Sequence, residues 1–115
     1  MTDHNQPRWQ REFGDMPTGT FPATPDGWDD ESWRNDVCPH FVAAEGEGWV
    51  LTVWVDYPDK ADREFPSLKR FRAYFEDPTG AVERTTTVAE TDRWETLLAN
   101  VDSALAEQRA RSASA

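Results

Sequence analysis

The chain has 115 residues, a single-domain length, and its 22 acidic against 12 basic residues give a formal charge of −10. A hydrophobic content of 37% that includes six Trp, six Phe and two Tyr is enough to build a core, which excludes global disorder. No apolar run approaches the ~20 residues of a membrane span, and residues 1–10 have neither the basic nor the apolar region of a secretory signal; a soluble, cytoplasmic protein with no membrane partner is predicted. Cys38 is the single cysteine, so no internal disulfide can form and the fold must rest on packing.

Residues 1–37 carry Pro7, Pro17, Pro22, Pro25, Gly14, Gly19 and Gly27, a density that interrupts both helix and strand. The same arm contains Trp9, Phe13, Phe21, Trp28 and Trp33, more large aromatics than a solvated linker carries, so part of it should pack on the domain. Asp29 or Asp30 is placed to cap a short turn through Ser32 and Trp33.

Residues 39–44 and 49–57 flank Glu45-Gly46-Glu47-Gly48 and predict a hairpin, because glycine allows the positive φ of a tight reversal. In the second strand Trp49, Leu51, Val53, Val55 and Tyr57 share one face, while Val50, Thr52, Trp54 and Asp56 share the other, the pattern of a central strand. Residues 58–67 read as a polar connection bounded by two prolines. Residues 68–77 alternate again, with Phe71, Ala73 and Phe75 on one side and Arg70, Arg72, Tyr74 and Glu76 on the other. Asp77-Pro78-Thr79-Gly80 has the composition of a type I turn, and residues 81–91 return as a Thr-rich edge strand.

Asp92-Arg93-Trp94-Glu95 has the form of a capping box and opens the last element. Trp94, Leu97, Leu98, Val101 and Leu105 recur at helical spacing and make one apolar stripe that can cover a sheet face. The expected fold is therefore α+β: an antiparallel sheet of about four strands in meander order, with one C-terminal helix packed on one face. The expected organisation is an irregular, aromatic-rich N-terminal arm over residues 1–37 lying on an edge or the other face, a single ββββα domain over residues 38–111, and a frayed tail over residues 112–115.

Chemistry is sparse in this sequence. Cys38-Pro39-His40 pairs a thiol with a base, but pleated spacing separates residues two apart by roughly 6–7 Å, and no orienting group or oxyanion hole accompanies them. The expectation is a half-buried Cys beside a surface His, with no catalytic residues. His4 is the other histidine, too few partners for zinc, and Asp56, Asp59, Asp62 and Glu64 lack the spacing of a calcium loop. No metal or cofactor is expected.

Charge then points to partners. Residues 1–67 hold 14 of the 22 acidic and 5 of the 12 basic residues, and so −9 of the net −10. That balance repels phosphate, so direct nucleic-acid binding is not expected and a basic protein partner is. The stretch 28–36 interleaves Trp28 and Trp33 with Asp29, Asp30, Glu31 and Asp36, aromatic anchors inside an acidic rim, and Asp56, Asp59, Asp62 and Glu64 extend it. The two tryptophans either form this docking surface or plug the sheet face that one helix leaves open. The expected function is a small non-enzymatic protein-binding module, an inhibitor or accessory subunit masking a basic surface of a partner, including one that itself binds nucleic acid. The alternative is a small-molecule anion-binding domain or minor enzyme using Arg70, Arg72 and Arg84, unless those arginines instead meet the chain's own acidic residues 56–64.

Overall fold

A computed structural model describes residues 6–79 and 85–114. The elements in chain order are α1 (Arg8–Glu12), β1 (Asp29–Asp30), β2 (His40–Gly46), β3 (Trp49–Val55), a 3-10 turn (Lys60–Asp62), β4 (Phe71–Glu76), β5 (Thr86–Thr91) and α2 (Trp94–Ser114). The five strands form one antiparallel sheet in the order β1-β2-β3-β4-β5, a meander closed by the C-terminal helix. The fold is the expected α+β class, and its fifth strand comes from the acidic arm, where Asp29 and Asp30 pair with Val42 and Phe41. Among the described residues no helix is long and apolar enough to cross a membrane.

The turn between β2 and β3 is shorter than the four residues anticipated. Gly46 pairs with Trp49, leaving Glu47 and Gly48 as the loop, and Gly48 supplies the required φ of +82°. β3 is central, with Leu51, Val53 and Val55 entirely buried. These side chains meet Phe41, Phe71, Ala73 and Ala89 from neighbouring strands and Leu97 and Val101 from α2 in one core. The β4–β5 connection crosses residues 80–84, so Gly80 of the expected turn and the first residues of the last strand lie outside the described residues. Asp77 does act as a turn residue, accepting from the Thr79 amide at 2.8 Å.

α2 starts differently from the expected capping box. The Asp92 carboxylate accepts from the Arg70 amide at 2.9 Å and lies 3.6 Å from Lys69 Nζ, so it ties the helix start to the entry of β4, while Thr91 Oγ1 takes the Arg93 amide. At the other end the helix continues to Ser114, beyond the expected limit at residue 111. Alanine at 106, 110 and 113 favours that continuation.

α2 lies over β4 and β5. The rest of that sheet face, above β2, is covered by the arm: Trp28 packs on Phe41 and edge-on to Trp94, and Phe21 packs on Phe41 while stacking on Trp9 at 3.6 Å between centroids. Trp9, Phe21 and Trp28 thus share the helix's face, whereas the end of the arm reaches the opposite one, where Asp36 meets His40 and Val37 lies beside Trp54. The arm is fastened by polar contacts as well, since Asp30 Oδ2 accepts from the Trp9 amide at 2.8 Å and the Tyr57 hydroxyl donates to Asp15 at 2.8 Å. Phe13, Met16 and Tyr57 form a second small core beneath it.

Candidate docking surface

The sheet face opposite α2 carries the polar and aromatic half of each strand. Register places His40, Trp54, Arg72 and Glu90 side by side across β2, β3, β4 and β5. Arg72 is 4% exposed and Asp56 2%, and Arg72 Nη1 meets Asp56 Oδ2 at 3.0 Å. The same guanidinium donates to the Lys69 carbonyl at 2.8 Å and reaches Cys38 Sγ at 3.9 Å. Asp56 Oδ1 accepts from the Tyr57 amide at 2.8 Å, so both carboxylate oxygens are held. A buried charge pair needs this degree of satisfaction to persist.

This pair places several residues singled out from sequence. Asp56 belongs to the interior and is withdrawn from any docking surface. Arg72 serves Asp56, and Arg70 donates through Nε to the Asp56 carbonyl at 3.0 Å and through Nη2 to the Thr20 carbonyl at 3.2 Å, while lying 4.9 Å above the Phe71 ring. Both arginines are thus engaged by the protein itself, and Arg84 lies outside the described residues. The connection 57–68 is organised by a residue that its polar composition hid. Arg63, 6% exposed, donates to the carbonyls of Tyr57 at 2.7 Å, Leu68 at 3.0 Å and Pro58 at 3.2 Å, tying the two ends of the loop together. Only the density of carbonyls in a loop with two prolines could have suggested it.

Cys38 and His40 do not form a pair. The Cys38 thiol is fully buried and faces Arg72, and burial, reinforced by Asp56, pushes its pKa up despite the guanidinium. His40 stacks on Trp54 at 4.4 Å, with Nδ1 3.3 Å from Asp36 Oδ2 but without the angle of a hydrogen bond. Burial pulls its pKa down against the attraction of Asp36, which keeps the imidazole neutral near pH 7. His4 lies outside the described residues. In the folded protein Cys38 is expected to react with Ellman's reagent about 1,000-fold more slowly than in urea, because labelling must wait for opening of the sheet face; equal rates would show the thiol to be accessible.

The stretch 28–36 divides by residue. Trp28 points into the core with Phe41 and Trp94. Asp30 is used internally, its two oxygens taking the amides of Trp9 and Ser32, and Asp36 turns toward His40. Asp29 and Glu31 are exposed, and Trp33 is 51% exposed. In the loop, Asp59 takes the Ala61 amide at 2.9 Å, whereas Asp62 and Glu64 are exposed beside Phe65, itself 51% exposed. Trp33 and Phe65 are the large hydrophobic residues that stand exposed among the described residues. Each is embedded in an acidic segment.

Phe65 also forms one wall of a groove of about 220 Å³ on this sheet face, together with Val37, Trp54, Leu68, Arg72 and Tyr74. The sequence placed Trp54 and Tyr74 on that face. It concealed Phe65 and Leu68, which reach it only because Arg63 folds the loop back. The turn that exposes Trp33, closed by the Asp36 amide on the Trp33 carbonyl at 2.9 Å, runs directly into Val37. Among the described residues, no three His, Cys, Asp or Glu side chains gather as metal ligands would. Compared with protein-family models, characterised proteins and solved structures, the chain matches none.

Proposed function

We propose that this chain is a small protein-binding module that covers a basic surface of a partner protein, as an inhibitor or accessory subunit. The observation that carries the reading is the exposure of Trp33 and Phe65, at 51% each, inside segments bearing exposed Asp29, Glu31, Asp62 and Glu64. Solitary exposed aromatics are ordinary, but aromatic anchors within acidic rims match the division of labour at interfaces, where charge speeds the approach and a buried ring slows departure. The engagement of Arg70 and Arg72 by Asp56, Thr20 and Lys69 supports this reading over anion binding, since neither guanidinium is held ready for a ligand.

The test is affinity capture from the native cell, followed by surface plasmon resonance against the captured partner. Reversing Asp29, Glu31 and Glu64 to Lys is expected to slow association about tenfold and to flatten its salt dependence. Trp33→Ala is expected to hasten dissociation about 30-fold, the effect of a hot-spot residue. Asp30 and Asp56 are left intact because they hold backbone amides and a buried cation. Rates indifferent to the reversal, to salt and to Trp33 would remove this surface from consideration.

A further inference from the structure

We infer that the groove between the loop 57–68 and the open sheet face receives one arginine side chain of that basic partner, an inference that rests on the binding reading and names its chemistry. The walls are flat and apolar: the Trp54 indole, the Tyr74 and Phe65 rings, and the aliphatic side chains of Val37 and Leu68. One side of Trp54 is already taken by His40 at 4.4 Å, which fixes the indole in place. The floor contains a cation, Arg72, but Asp56 at 3.0 Å neutralises it and the Lys69 carbonyl takes a second of its protons.

The rim carries a carboxylate, since Glu90 lies opposite Arg72 in the sheet and accepts from the Tyr74 hydroxyl at 3.1 Å, and the exposed Glu64 precedes Phe65 in the chain. A neutralised floor, aromatic walls and a carboxylate rim complement a side chain with an apolar stem and a planar cationic head. Arginine fits this better than lysine, because its guanidinium stacks on rings and is less strongly hydrated than an ammonium. The groove volume of about 220 Å³ admits a single such side chain.

The experiment is an NMR titration of the full chain, labelled with ¹⁵N, with the pentapeptide Gly-Ser-Arg-Ser-Gly and its Lys and Leu counterparts. The Arg peptide is expected to shift the Trp54 indole and the Val37, Phe65 and Tyr74 amides saturably, and to bind about threefold more tightly than the Lys peptide. Glu64→Gln with Glu90→Gln, both exposed and fold-neutral, is expected to weaken it about fivefold. Phe65→Ser is expected to abolish the saturable shifts, and Trp33→Ala to leave them unchanged. The inference is overturned by absence of saturable shifts, by equal or tighter binding of the Leu peptide, or by shifts spread over the acidic surface and indifferent to Phe65→Ser. If the Arg peptide seats as described while no captured partner responds to Trp33 or charge reversal, the groove stands and the partner reading falls; if the partner responds but the peptide does not seat, the reverse holds.

Discussion

Asp56→Leu is expected to destabilise the fold by about 3–5 kcal/mol, because it strands the Arg72 guanidinium in a site only 4% exposed. Arg72→Leu should cost a similar amount by orphaning the carboxylate. The combined Asp56→Leu/Arg72→Leu variant should recover much of the loss, since a well-packed apolar pair carries no desolvation penalty, although the Tyr57 amide and the Lys69 carbonyl then each lose a partner. Urea unfolding of the two single variants and the double variant closes the cycle. Strictly additive losses would show that the two charges are not coupled, and single losses below about 1 kcal/mol would show that water reaches the pair.

Val101→Asp is expected to leave the chain unfolded at room temperature. Val101 is 1% exposed and lies with Leu97 between α2 and the sheet, so the new carboxylate would be buried without a partner in a domain whose whole margin is on the order of 5–15 kcal/mol. Leu97→Ala, which only removes volume at a fully buried position, should cost about 2–5 kcal/mol. Leu98 is a different case. The helical stripe treats Leu98 and Leu97 alike, but Leu98 is half-buried at the edge of the core, and Leu98→Asp should be milder than Val101→Asp. Circular dichroism and thermal unfolding of the three variants check the order. A Val101→Asp protein with an unchanged melting temperature would contradict the packing of α2 on the sheet.

Trp28 and Trp33 show where pattern stops being informative. Both are tryptophans in an acidic, turn-rich arm, five residues apart, and no local rule separates them. Two residues of strand pairing, Asp29 with Val42 and Asp30 with Phe41, bring Trp28 against Phe41, while the turn closed by Asp36 leaves Trp33 outside. Asp56 and Asp59 divide in the same way. Strand alternation predicts which face Asp56 takes, but its burial depends on Arg72 arriving sixteen residues later on the neighbouring strand.

Periodicity and turn chemistry by themselves determined the four-strand meander, the central position of β3, the apolar stripe of α2 and the sheet faces that the residues of β3 and β4 take, because all of these follow from short-range alternation of apolar and polar side chains. Tertiary structure alone decided which acids stay available to a partner and which stabilise the chain, and it alone built the groove. Those outcomes depend on contacts between residues far apart in sequence: Arg63 folding Phe65 and Leu68 onto the sheet, Arg72 neutralising Asp56, and Asp30 holding α1. A charged side chain carries no local mark of whether its counter-charge will be a neighbour in the fold or a group on another molecule.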